Sequence, residues 1–164
     1  MKKYLFLAIA AIAFCIPSWG QDREIICVGR DMLDNSVKIV KSNGTYNFVF
    51  FGITATLDKS ACIVPLGTTF GDAKEFVDFI IGTRWGNKGQ SESLFVTSAD
   101  GTLFSIMYEP LILDGGTIHN VITIGYYWYG KSYFTKIHLT QFLVWQTELS
   151  KKEDMLQYIK DIGK

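Results

Sequence analysis

The chain lacks several of the spacings that announce common chemistries. It has no CxxC pair, no Gly-x-Ser-x-Gly elbow and no His-Glu-x-x-His helix, which removes the usual zinc, serine-hydrolase and metalloprotease signatures. Histidine is rare, with only His119 and His138. There is no excess of either charge: 16 Lys and Arg stand against 16 Asp and Glu, dispersed along the chain, so nothing marks a nucleic-acid surface. No repeat, low-complexity tract or linker divides it. After the first sixteen residues no apolar run approaches the ~20 residues that a membrane-spanning helix needs.

What is present begins with an address. Lys2 and Lys3 precede an apolar run from Tyr4 to Ile16, and Pro17-Ser18-Trp19-Gly20 ends in small residues three and one before Gln21. This three-part pattern predicts a signal peptide over 1–20 and an exported protein, periplasmic or extracellular. Phe14 stands before Cys15 where lipid-attachment signals resemble one another in having Gly or Ala. Removal of the leader leaves 144 residues, 14 basic and 16 acidic, enough for one domain with a core. Cys27 and Cys62 are then the two cysteines left. In an oxidising compartment the default expectation is a disulfide between them, worth about 3–4 kcal/mol in the chain-entropy model.

Alternation and turn residues predict the strands. Ile25–Val28 reads as a short strand, and Val37–Lys41 and Thr45–Phe51 flank Asn43-Gly44, a type I′ hairpin signal that pairs Ser42 with Thr45. Its outward set, Lys38, Val40, Asn47 and Val49, is mixed. Ala61–Val64 extends as far as Pro65. Thr69 then caps a helix over 70–81, whose Phe70, Ala73, Val77 and Ile80 recur at helical steps. The preceding Gly67–Asp72 stretch lacks the Gly-Lys-Ser/Thr ending of a phosphate loop. Thr83–Ser93 reads as a polar loop carrying Arg84 and Trp85. Leu94–Ser98 and Thr102–Tyr108 flank Asp100-Gly101, and Glu109-Pro110 interrupts the second of these strands. The longest arms run from Thr117 to Trp145 around a turn at Gly130-Lys131, pairing Tyr129 with Ser132 and Trp128 with Tyr133. A capping box, Ser150-Lys151-Lys152-Glu153, opens a final helix with Met155, Leu156, Ile159 and Ile162 as its apolar stripe.

The expected fold is therefore α+β, an antiparallel sheet made of an N-terminal hairpin and a four-strand meander, with two helices packed on one face. The helix entered through Gly67-Thr68 and left through Gly82, followed by a meander, resembles in outline the β-lactamase-inhibitor-like domains of small exported bacterial proteins. Those domains commonly carry two helices ahead of their sheet, where one is read here. The resemblance implies a periplasmic binding or inhibitory module and carries over no residue.

Function has to be read from surfaces. In the expected register His119 and His138 share a face but lie over ten ångströms apart at ~3.3 Å per residue, too far to share an ion. No metal and no cofactor is implied. Tyr126, Trp128 and Tyr133 are expected inside, while Tyr127 and Phe134, with Tyr129 at the tip, fall together on the other face. Exposed paired aromatics suggest a contact surface for an envelope protein, a glycan or an apolar ligand, and Arg84 and Trp85 are further candidates. The leading expectation is a non-enzymatic exported binding module of unknown partner. The alternatives are a small secreted hydrolase built from Asp, Glu and His outside any motif, and a carrier with an apolar cavity between helix 70–81 and the meander.

Overall fold

The computed structural model describes residues 23–86, 93–112, 116 and 118–162. The expected leader, 1–20, lies outside the described residues. In order come β1 (Arg23–Arg30), β2 (Ser36–Ser42), β3 (Thr45–Ile53), β4 (Lys59–Gly67), α1 (Phe70–Gly86), β5 (Leu94–Thr97), β6 (Leu103–Ile112), β7 (Ile118–Trp128), β8 (Lys131–His138) and α2 (Leu139–Ile162). The strands form one antiparallel sheet in the order β1-β2-β3-β8-β7-β6-β5, with β4 also on β3. Both helices pack on the same face, so the fold is α+β as the pattern of elements predicts.

The core follows from alternation on one side of each strand. Val37 and Ile39 of β2, Phe48 and Phe50 of β3, Cys62 and Val64 of β4, and Ile122 and Ile124 of β7 all turn inward and are buried. Against them α1 sets Ala73, Val77 and Ile80, and α2 sets Leu139, Phe142, Trp145 and Leu149. Phe48 is the hub: its ring lies 5.2 Å from Phe50, 5.2 Å from Phe76 and 6.3 Å from Trp145. Trp145 also donates its indole N–H to the carbonyl of Val28 at 3.1 Å, which ties α2 to the edge strand β1. Gln146 and Asp78, at 2.6 Å, and Lys74 and Glu153, also at 2.6 Å, join the two helices.

Local chemistry explains most of the element ends. Asn43 (φ 50°) and Gly44 (φ 77°) both adopt the left-handed conformation of a type I′ turn, and Ser42 pairs with Thr45 as expected. At the start of α1 the Thr69 amide donates to Asp72 Oδ2 at 2.8 Å, and the Asp72 amide donates to Thr69 Oγ1 at 3.2 Å. This reciprocal cap satisfies two amide groups that a helix start would otherwise leave open. Asp31 is buried and accepts hydrogen bonds from the Leu33 and Asn35 amides and from Thr135 Oγ1, which fastens the β1–β2 connection to β8.

Several expectations are corrected. The helix expected to end at Gly82 continues to Gly86, so Arg84 and Trp85 sit in its last turn rather than in a loop. β6 passes through Glu109-Pro110 without a break, pairing Pro110 with Asn120. The segment from Leu139 to Trp145, expected as a strand, is the first part of α2, which therefore starts eleven residues before the capping box at Ser150. Leu139, Phe142, Trp145 and Leu149 are spaced by three, three and four, a helical stripe that the preceding alternation masks. The second half of α2 then runs past the core: Met155, Leu156, Ile159 and Ile162 are exposed rather than packed on the sheet. No helix among the described residues is long and apolar enough to cross a membrane.

The expected Cys27–Cys62 disulfide is absent. Both thiols are buried and free. Cys27 lies on β1 and Cys62 on β4, with β2 and β3 between them. Three strand spacings amount to about 14 Å, beyond the ~7 Å Cα separation that a disulfide tolerates. Sequence parity could place both inward but not side by side.

Candidate functional site

The β7–β8 hairpin decides which side chains the sheet shows to solvent. Its reversal is at Tyr129 (φ 46°) and Gly130 (φ 73°), a type I′ turn one residue earlier than the expected Gly130-Lys131. Trp128 therefore pairs with Lys131, Tyr127 with Ser132, Tyr126 with Tyr133 and Gly125 with Phe134. Moving the turn by one residue moves each partner by two, so the strand faces are unchanged. Tyr126 and Tyr133 are buried, and Phe134 is 38% exposed on the opposite face. Trp128, expected inside, lies beyond the last core layer and is exposed, its ring 4.9 Å from that of Tyr129.

Tyr127 and Phe134 thus lie on the helix-free face with Tyr129 at its tip, and the fold adds a residue that sequence reasoning missed. A two-residue turn at Asp100-Gly101 would pair Ala99 with Thr102 and turn Phe95 to the same side as Phe104 and Ile106. Instead Ala99, Asp100 and Gly101 form a three-residue loop closed by Ser98 and Thr102, with Gly101 alone at positive φ. Asp100 holds this loop by accepting from Ser98 Oγ and from the Thr102 amide. The register moves by one, Thr97 pairs with Leu103, and Phe95 turns outward, 62% exposed. The polar Ser98-x-Asp100 spacing was the available signal for a longer turn.

The result is a row across five strands: Phe95, Ser105, Gly125, Phe134 and Ile53 are successive partners. Small residues occupy its middle, and aromatic rings lean over them. A Cβ at Gly125 would stand 2.5 Å from Ser105 Oγ and 3.0 Å from the Phe134 ring, so Phe134 rests on bare backbone there. The Tyr127 ring centroid is 6.0 Å from that of Phe95, and its hydroxyl is 3.5 Å from Ser105 Oγ. Two residues before Ile53, Phe51 continues the apolar band, 45% exposed. Below the row Glu109 accepts hydrogen bonds from Thr123 Oγ1 at 2.7 Å and Lys136 Nζ at 2.8 Å. Burial works to raise the Glu109 carboxyl, but these bonds and the lysine charge outweigh it and hold the group below its ordinary value.

Further along the same face is a groove of about 800 Å³ over β1–β4. Ile25, Val40, Val49, Ile63 and Pro65 floor it, with Arg23 and Lys38 toward one side and Asp100 toward the other. The β5–β6 turn closes its far wall, where the Ala99 amide donates to the Pro65 carbonyl at 3.1 Å.

Other candidates do not join this site. The side chains of Arg84 and Trp85 lie outside the described residues, and the helix that carries them packs on the other face of the sheet. His138 pairs with Val121, two residues from His119 on the neighbouring strand rather than the expected four. Among the described residues no three His, Cys, Asp or Glu converge as metal ligands. Gly125 to Ser132 fits the Gly-x-x-x-x-Gly-Lys-Ser spacing of a phosphate-binding loop. That loop needs a helix N-terminus after it, whereas here β7 turns directly into β8, and Lys131 pairs with Asp58 at 3.4 Å.

Among the described residues the shifted titratable groups move away from neutrality. Asp72, Asp100 and Glu109 are lowered, while burial pushes Cys27 up to about 12 and Cys62 up to about 11. A general acid or base would be moved the other way, toward working pH. No family model, no curated protein and no solved structure matches the chain.

Proposed function

We propose that the chain is a non-enzymatic, exported binding module whose partner docks on the helix-free face of the sheet, centred on Phe95, Tyr127 and Phe134. The observation that carries this reading is the row of aromatic side chains held outward over Ser105 and Gly125, on a face to which neither helix contributes cover. Contiguous exposed apolar surface of this kind is costly to leave in water and marks interaction sites. Aromatics are the residues that contact surfaces favour, because they bury large area with few rotatable bonds. The shelf offers rings, one hydroxyl and no charge at its centre, and Lys136 and Glu109, at its border, already satisfy one another. The export signal over 1–20 and the outline resemblance to β-lactamase-inhibitor-like domains fit the same reading. A carrier would need its cavity between α1 and the meander, where Phe76, Val77, Ile80 and Phe104 pack together.

The test is retention of envelope components on immobilised chain, comparing wild type with Phe95→Ser/Phe134→Ser and with Glu75→Ala, an exposed position on α1, as a control on another surface. The reading expects one component held by wild type and by the control and released by the double substitution. Equal retention by all three chains overturns it.

A further inference from the structure

We infer that the chain forms a two-fold dimer by exchanging the end of α2, each copy laying Met155, Leu156, Ile159 and Ile162 into the β1–β4 groove of the other. The inference is independent of the proposed binding on the aromatic shelf.

Two surfaces carry it. Among the described residues the last hydrogen bonds of α2 to the body come from Lys152, which donates to the Ile26 carbonyl at 2.9 Å, and from Glu153, paired with Lys74. Beyond them Met155, Leu156, Tyr158, Ile159 and Ile162 are 43–67% exposed. Spacings of three and four place these side chains on one stripe, so the helix is amphipathic in a segment whose apolar side is left exposed. The second surface is the groove, with its apolar floor of Ile25, Val40, Val49, Ile63 and Pro65. From β1 to β4 it spans three strand spacings, about 14 Å, and a helix with side chains is about 10–12 Å across. A helix lying along the strands fits that width.

Charge selects this chain's own helix as the occupant. On the helical wheel Asp154 and Asp161 border the stripe on its Tyr158 side, and Lys160 borders it on its Leu156 side. The groove carries Arg23 and Lys38 toward one wall and Asp100 toward the other. One of the two directions available to the helix sets the aspartates beside Arg23 and Lys38 and sets Lys160 beside Asp100. Among the described residues neither Arg23 nor Lys38 has a carboxylate within ion-pair distance in its own chain.

Placement makes the exchange reciprocal. Lys152 anchors α2 at Ile26, and the next residue toward the N-terminus, Ile25, is in the groove floor. Tail and groove therefore meet at one edge of the molecule, so a two-fold axis beside that edge brings each tail to the other copy's groove and closes the pair. Area points the same way. A single tail in a single groove is small against the about 1,200 Å² that stable interfaces bury, and reciprocal exchange counts the contact twice.

The experiment is sedimentation of the full chain over a dilution series, with Ile159→Asp on the tail and Ile63→Asp in the groove. Ile159 and Ile63 are both about half exposed, so each variant should keep its fold, which circular dichroism checks. Wild type is expected at twice the monomer mass, and each variant is expected to dissociate on the order of tenfold more readily or worse. An equal mixture retains one intact seat and shows more dimer than either variant alone at the same concentration. Should Ile63→Asp misfold, Lys38→Glu and Asp161→Lys replace the pair, each weakening the dimer and the combination restoring it. A monomeric wild type, a dimer indifferent to these substitutions, or a mixture no more dimeric than its components overturns the inference.

Discussion

Raising the pH should destabilise this protein through two almost fully buried thiols. Cys27 is 2% exposed and Cys62 is 1% exposed. Burial pushes Cys27 up to about 12, reinforced by the charge and hydrogen bond of Glu148 and opposed by Lys152. Burial likewise raises Cys62 to about 11, against a hydrogen bond from the Gly52 backbone. Unfolded, each would ionise near 9.0. The folded chain thus holds protons that the unfolded chain releases, so the stabilisation is complete below about pH 9 and falls as pH rises toward 11–12. Each thiol costs about 1.4 kcal/mol per pH unit within its window. Between pH 8 and pH 10 the two together remove about 3 kcal/mol, a large part of a typical 5–15 kcal/mol total. Urea titrations at pH 8, 9 and 10 under reducing conditions, on wild type and on Cys27→Ala/Cys62→Ala, measure the effect. Tyr126 is also raised, by burial first and then by Cys62 and Asp100, and it remains in both chains, so the difference between them reports the thiols together with the Cys62 charge on Tyr126. The wild type should lose stability more steeply by about 3 kcal/mol over the interval. Parallel losses in the two chains would refute the reasoning and would mean that the thiols are exposed or bonded.

Other perturbations follow from the outer face and its turn. Gly125→Ala puts a methyl group 2.5 Å from Ser105 Oγ and 3.0 Å from the Phe134 ring, so it should lower stability by about 1–3 kcal/mol in denaturant titration. Tyr129→Asn relieves a large side chain at φ 46° and should raise stability by about 0.5–1 kcal/mol, seen as a higher melting temperature. The lowered Glu109 carboxyl contributes stability at neutral pH that is lost as pH falls through its depressed value, below 4.5. Lys136→Met should therefore shift acid unfolding to higher pH, by less than about 1 kcal/mol because Lys136 is 45% exposed.

What could be read in advance was set by short-range rules. Asn43-Gly44 fixes one hairpin because both residues accept positive φ, and Thr69 with Asp72 starts α1 because they cap each other. Alternation sorted Tyr127 and Phe134 from Tyr126 and Tyr133 even with the turn placed one residue late, since a two-residue shift of partner preserves the face. The failures came where local signals compete. Gly130-Lys131 and Tyr129-Gly130 are neighbouring turns that share one glycine, and Tyr is a poor advertisement for a left-handed residue. At Asp100-Gly101 the familiar dipeptide hid a three-residue loop, and that single residue decided whether Phe95 faced core or water. Leu139–Trp145 continues a strand pattern by composition yet forms a helix, because Phe142 and Trp145 gain the Phe48 cluster only at helical spacing. The separation of Cys27 from Cys62 depends on strand order, a long-range property that no local spacing states.

The most direct test of the account is hydroxyl-radical footprinting of the intact chain, read residue by residue. Phe95, Tyr129 and Phe134 should react as surface side chains, while Phe48, Phe50, Phe142 and Trp145 stay protected until the protein unfolds. Protection of Phe95 and Phe134 in the isolated protein, in numbers matching the Phe48 cluster, would mean that the helix-free face is covered from within and would contradict the claim that it is held open for a partner.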